Sequence, residues 1–192
     1  MYNRFMEERK ISGFKHTLNF VWEILKIVII SLAIIIPIRY FLIQPFFVKG
    51  ASMDPNYLDG DYLIIDEISY RLGEPKRSDV IFFRYPLDPS QFFIKRIVGL
   101  PGETIEISNG QIYVYSEDVS DERILLDESE YLEDIYTPGN LTIVLEEEEY
   151  FVLGDNRDAS SDSRKWGELN EKYITGRAWL RAWPIKRLGA VD

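Results

Sequence analysis

The chain opens on one long apolar run and then changes to short alternating ones. From Leu18 to Ile38 it is hydrophobic almost without interruption, and residues 27–38 carry no charge between Lys26 and Arg39. A helix of roughly 20 such residues spans a bilayer core, so the pattern predicts a membrane-spanning helix over 18–38. Glu23 and Lys26 lie three apart, can pair on one helix face, and sit within about two turns of one end, where long side chains reach the headgroups. The competing readings are a buried core helix and a cleaved signal peptide. A soluble domain of this size seldom carries so apolar a run, and no A-x-A-like cleavage site follows it.

Past Arg39 the pattern is that of strands. Residues 62–65 (YLII) and 80–85 (VIFFRY) are β-branched and aromatic runs bounded by Asp-Gly-Asp, Gly-Glu-Pro and Tyr-Pro-Leu-Asp-Pro turns. Asn109-Gly110 stands between 104–107 and 111–115, the strongest short-range signal of a two-residue hairpin. Further strands are expected at 141–145, 150–153 and 176–183. The fold class is therefore mainly β, a β-rich domain over 39–192 behind one N-terminal helix. Segment 116–138 breaks the pattern and reads as an acidic insertion or flexible excursion, a solvated surface rather than a cation site.

Length and charge narrow the function classes. At 192 residues there is room for one domain of ordinary size plus an appendage. The net charge of −10 leaves no basic stripe to neutralise phosphates, which argues against nucleic acid. Between Glu103 and Tyr150 stand fifteen acidic residues against Arg123 alone, so this stretch carries −14 and the remainder +4. There is no cysteine, which excludes a disulfide scaffold, a cysteine protease and thiolate metal sites. Segment 1–17 holds Arg4, Arg9, Lys10 and Lys15 against Glu7 and Glu8, so the positive-inside rule puts it in the cytoplasm and 39–192 outside.

The candidate chemistry is a serine and a lysine. Ser52 sits in a small-residue turn, Gly50-Ala51-Ser52-Met53-Asp54-Pro55, and Lys95 in Phe93-Ile94-Lys95-Arg96-Ile97. A hydroxyl is a weak nucleophile and needs an adjacent base, usually histidine or a neutral lysine. The one histidine, His16, lies on the far side of the apolar run, so a hydrolase built on Ser52 must use lysine. Lysine is a base only when neutral, which requires burial among apolar neighbours such as Phe92, Phe93, Ile94, Ile97 and Val98. On a strand, Lys95 shares a face with Phe93 and Ile97 while Arg96 points the other way, free to pair. Taken alone, Lys95 reads better as one exposed charge on an edge strand; the serine turn is what favours the buried reading.

Four blocks in order resemble the signature of bacterial type I signal peptidases: residues 50–55 (GASMDP), 60–65 (GDYLII), 95–103 (KRIVGLPGE) and 154–167 (GDNRDASSDSRKWG). The resemblance runs from the apolar helix through Ala178. It implies a membrane-anchored serine endopeptidase that removes signal peptides from exported preproteins, on a mainly β fold with a Ser/Lys dyad. Relatives of the endoplasmic reticulum and archaea carry histidine where Lys95 stands, so Lys95 points to the bacterial branch and a single-pass protein of the bacterial cell membrane. The resemblance also implies that Ser160 orients Lys95 by a hydrogen bond and that Asp162 and Arg164 form a supporting ion pair. Phe46, Val48, Met53 and Ile94 fall where the family lines shallow pockets for small residues one and three places before the cleaved bond. Gly50 departs from many members, which have a serine or threonine there to help hold the oxyanion; the hole then rests mainly on the Ser52 backbone N–H.

No cofactor and no metal are expected, since 155–158 do not match the spacing of a calcium loop. The partners expected are signal-peptide-bearing preproteins and the lipid bilayer. Ser52 lies fourteen residues past Ile38, within about 46 Å of the membrane at roughly 3.3 Å per extended residue. Two other readings stand beside this one. A soluble-type self-cleaving Ser/Lys peptidase shares the chemistry but not the anchor, and a non-catalytic membrane-tethered β module makes Ser52 and Lys95 incidental.

Overall fold

The computed structural model describes residues 19–36, 43–116, 120–133 and 136–191. The chain divides into two compact units, 1–42 and 43–192. In the first, Asn19–Ile36 forms helix α1, exposed throughout and, among the described residues, the one helix long and apolar enough to cross a membrane. The segment expected in the cytoplasm, 1–17, and both edges of the predicted span lie outside the described residues.

The second unit is mostly strand. A first antiparallel sheet contains β1 (Ile43–Phe47), β2 (Tyr62–Asp66), β3 (Val80–Tyr85), β4 (Asp88–Gly99), β9 (Glu149–Leu153), β10 (Leu169–Asn170) and β11 (Ile174–Trp183) in the order β1-β2-β11-β3-β4-β9-β10, with β12 (Gly189–Ala190) on β11. A second sheet orders β5 (Glu103–Ser108), β6 (Gln111–Ser116), β7 (Ser120–Leu125) and β8 (Leu141–Val144) as β7-β6-β5-β8. Single helical turns α2 (Ser69–Leu72) and α3 (Ser163–Trp166) lie between strands.

Local sequence explains most of these elements. β3 lies between β11 and β4, and its first four residues are all buried, so a continuous apolar run suits it better than alternation. β5 alternates buried and half-buried positions and turns into β6 at Asn109-Gly110, both at positive φ as a type I′ hairpin requires. β1 carries Pro45 and lies on the sheet edge, where a missing N–H leaves no gap in the ladder. Val98 of β4 and Phe151 and Leu153 of β9 pack with Ile105, Ile107, Ile112 and Val114 of the second sheet, joining the two sheets through one core.

The acidic segment 116–138 differs from the expectation of a solvated excursion. Its first part forms β7 on β6, with Leu125 opposite Tyr113. Glu128, Leu132 and Thr137 are buried. The sequence pattern missed this because the partner that makes a buried Glu128 tolerable, Arg157, is 29 residues away.

Candidate active site

The nucleophile turn hangs between β1 and β2 and is closed by its own backbone. Val48 N–H donates to Asp61 O at 2.9 Å, Gly60 N–H to Val48 O at 3.0 Å, and Tyr57 N–H to Met53 O at 2.8 Å. Met53 and Tyr57 are buried and pin the turn to the core beneath it, with Leu63, Ile65 and Phe82. Gly50 takes φ +85°, a left-handed conformation that favours glycine, and its N–H donates to Asp59 Oδ1 at 2.8 Å. The turn thereby leaves Ser52 half-buried with its Oγ toward β4, and no described residue accepts from its N–H.

Lys95 comes from the middle of β4, opposite Ile81 of β3. Its Nζ lies 2.8 Å from Ser52 Oγ and 2.7 Å from the Ile94 carbonyl oxygen. Only 3% of the residue is exposed, and Phe93 lies beneath the ammonium at 5.5 Å from the ring centre. Burial pulls the Lys95 pKa down; the carboxylates of Asp162 and Asp155 pull it part of the way back, leaving it at about 8. About a tenth of the molecules then hold a neutral Lys95 at pH 7, against well under a thousandth for an ordinary lysine.

Arg96 points to the opposite face of the same strand, as alternation requires. Its Nε and Nη2 donate to Asp155 Oδ1 and Oδ2 at 2.9 and 2.7 Å, and its Nη1 to Ser78 O at 2.9 Å. Both side chains of this pair are buried. A buried cation demands such a partner. That demand tells from the sequence that Arg96 needs a carboxylate but does not single out Asp155, which lies 59 residues away.

The loop after β9 completes the site. A Cβ on Gly154 would lie 2.4 Å from Ser52 O and 2.3 Å from Ser160 Oγ, so only glycine lets the two loops approach. Asp162 is fully buried and caps α3; its carboxylate accepts from Gly154 N–H at 3.1 Å and from Arg164 Nε and Nη2, each at 2.8 Å. Burial alone raises the Asp162 pKa, but the Arg164 contacts together with Ser160 and the Gly154 N–H outweigh it and hold the carboxylate below its usual range. Ser160 is buried beside Asp162 and helps stabilise that charge, yet its Oγ makes no well-formed hydrogen bond. Lys95 Nζ bonds Ser52 Oγ and the Ile94 carbonyl while Ser160 Oγ bonds neither it nor any other described group, so the expected Ser160–Lys95 hydrogen bond is not formed in this arrangement.

A cleft of about 660 Å³ opens beside the serine, lined by Phe46, Val48, Ile94, Phe82 and Phe92 among others. The Phe46 ring packs against Phe82 and Phe92 at centroid distances of 4.4 and 5.2 Å, giving the cleft a rigid apolar wall. Met53 does not line it; it is fully buried in the core below. Among the described residues no group of three or more His, Asp or Glu side chains could hold a metal. The arrangement is suited to one kind of chemistry: attack by Ser52 on a carbonyl, with a desolvated amine in reach to take the hydroxyl proton.

Comparison with known proteins agrees with this geometry. The family model described as signal peptidase, peptidase S26, matches residues 21–183. A probable signal peptidase I-2 of Synechocystis sp. is 35% identical over 87% of this chain and 75% of its own length. Signal peptidase I of Leptolyngbya laminosa is 33% identical over 87% of this chain and 82% of its own, and signal peptidase IB of Staphylococcus aureus 31% identical over 82% and 88%. With a family match across most of its length and relatives above 30% identity, this chain belongs to the signal peptidase family, peptidase S26.

Proposed function

We propose that this protein is a membrane-bound serine endopeptidase that cleaves N-terminal signal peptides from exported preproteins, with Ser52 as nucleophile and Lys95 as general base. The observation that carries the proposal is the 2.8 Å contact between Lys95 Nζ and Ser52 Oγ, made by a lysine buried deeply enough to lower its pKa to about 8. Neutral Lys95 accepts the Ser52 proton as Oγ attacks the scissile carbonyl. The resulting ammonium returns that proton to the leaving amine, and a water activated by the same lysine then releases the acyl group. The oxyanion is held by the Ser52 backbone N–H, which no described residue occupies.

The supporting residues act through placement and field. Asp162 and Arg164 hold the loop that backs Lys95, and the ionised Asp162 stabilises the ammonium formed during attack. Ser160, whose Oγ lies against the Gly154 position together with the Ser52 carbonyl, accepts from the Lys95 ammonium once it forms. The apolar cleft beside Ser52 offers a dry surface for small apolar side chains, which fits a substrate with small residues before the cleaved bond. Helix α1 supplies the single membrane span, with the basic N-terminal segment on the cytoplasmic side and the catalytic unit outside, in the bacterial cell membrane.

The test is incubation of the detergent-solubilised full chain with a secretory precursor, followed by sequencing of the product's new N-terminus. The proposal expects one cut after a small residue at the end of the signal peptide, and none with Ser52→Ala. Undiminished cutting by Ser52→Ala refutes it.

A further inference from the structure

The acidic stretch reaches the site from behind. It is anchored on the second sheet at two points, with Leu126 N–H donating to Ile112 O at 2.9 Å and Thr137 N–H to Gly110 O at 2.8 Å. Between these anchors three contacts leave it, each to a different catalytic segment. The Glu128 carboxylate accepts from both Nη atoms of Arg157 at 2.9 and 2.5 Å, with both side chains about 95% buried. The Tyr131 ring lies 4.0 Å from the Arg96 guanidinium carbon, and its hydroxyl donates to Glu128 at 2.7 Å. The Tyr131 carbonyl accepts from Asn56 Nδ2 at 2.8 Å, and the same amide nitrogen donates to Asp155 Oδ2 at 2.8 Å.

The sequence positions of the three recipients matter. Asn56 is four residues after Ser52, Arg96 is next to Lys95, and Arg157 is three residues before Ser160. Neither Glu128 nor Tyr131 lines the substrate cleft. Asp155 takes the Arg96 guanidinium on its carboxylate while Tyr131 covers that guanidinium with its ring, so the pair that neutralises Asp155 is sandwiched. We propose that residues 126–133 are a positioning strap: Glu128 and Tyr131, touching no substrate, hold the Ser52, Lys95 and Ser160 segments in mutual register through Asn56, Arg96 and Arg157.

This inference rests on the reading of Ser52 and Lys95 as the reacting pair. Two consequences set it apart from ordinary packing. A register shift of about 1 Å between nucleophile and base can cost about a hundredfold in rate without weakening substrate binding, so the loss should fall on kcat and spare KM. The charged groups acting on Lys95 are Asp155 and Asp162, paired with Arg96 and Arg164 respectively. Removing the ring uncovers the Arg96–Asp155 pair and loosens it, so that Asp155 acts more strongly on the Lys95 ammonium and the pH at which activity appears should rise.

The experiment measures kcat and KM from pH 6 to 10 on a signal-peptide-bearing precursor peptide, using the detergent-solubilised full chain. Tyr131→Leu, Tyr131→Phe, Glu128→Gln and Ser52→Ala are compared with the unaltered protein. Tyr131→Leu and Glu128→Gln should each lower kcat by about tenfold or more with KM within about twofold. Tyr131→Leu should also move the pH limb upward, whereas Tyr131→Phe, which keeps the ring, should retain the limb of the unaltered enzyme. Should Tyr131→Leu fail to fold, Glu128→Gln, equal in volume to the native residue, carries the kcat comparison. Folded strap variants with unchanged kcat and pH limb overturn the strap while a dead Ser52→Ala leaves the dyad standing; an active Ser52→Ala removes the dyad itself.

Discussion

The carbonyl of Ser52 accepts a hydrogen bond from the N–H of Asn156 at 3.1 Å, which ties the nucleophile turn directly to the loop after β9. That approach is possible because Gly154 has no side chain: a Cβ there would meet Ser52 O at 2.4 Å and Ser160 Oγ at 2.3 Å. Gly154→Ala should therefore force the two loops apart. We expect a stability loss of about 1–3 kcal/mol from overpacking and a fall in kcat of about a hundredfold from a displacement near 1 Å. Thermal unfolding together with steady-state kinetics checks both, and a Gly154→Ala enzyme of normal rate contradicts the close approach.

Keeping Lys95 able to lose its proton has a cost in stability, and the sign follows from linkage. Its folded pKa is about 8 against an ordinary value of 10.5. Below pH 8 the residue is protonated in both states and the full destabilisation is present. Between pH 8 and 10.5 the unfolded chain binds more protons, so stability rises with pH until the cost disappears. Lys95→Met, similar in shape and uncharged, should abolish turnover yet be more stable at pH 7, by on the order of 3 kcal/mol. Unfolding in denaturant at pH 7 and at pH 10.5 checks it: the advantage should shrink at the higher pH. A Lys95→Met variant less stable than the unaltered protein at pH 7 contradicts the account of a strained buried lysine.

Gly50 raises a separate question of backbone. At φ +85° any side chain is strained, although open space surrounds the position where a Cβ would lie. Gly50→Ala and Gly50→Ser should both lose about 1 kcal/mol through the left-handed conformation. A serine hydroxyl can return part of the activity lost by alanine if it reaches the oxyanion. The expected order of kcat is unaltered protein first, then Ser, then Ala. A Ser variant slower than a folded Ala variant shows that the side chain at 50 faces away from the oxyanion.

The strands were legible where the chain carried its own punctuation. Asn109-Gly110 specified the β5–β6 hairpin, and the runs at 62–65, 80–85 and 150–153 fall within β2, β3 and β9. Strand β1 was not, because an edge strand containing Pro45 has neither alternation nor a clean apolar run. Lys95 and Ser52 could be paired from the sequence because their chemistry needs each other. Asp155, Asn56, Glu128 and Tyr131 could not, because each acts through a partner distant in the chain: Arg96 lies 59 residues from Asp155, and Tyr131 lies 75 from Asn56. Met53 was misplaced on the cleft for a related reason. A residue next to the nucleophile in sequence faces the cleft or the core according to the turn, and this turn buries it.

The central claim, that a buried neutral Lys95 activates Ser52, is tested most directly by the pH dependence of kcat/KM for a peptide substrate, measured on the unaltered protein and on a folded Lys95→Arg variant. In the free enzyme this profile reports the ionisation of the essential base. The account predicts activity rising with pH through a limb near the Lys95 pKa of about 8, and no turnover at any pH with Lys95→Arg, whose guanidinium keeps its proton. A limb near the ordinary histidine value of about 6.5 that vanishes in His16→Ala, or normal turnover by Lys95→Arg, would contradict it.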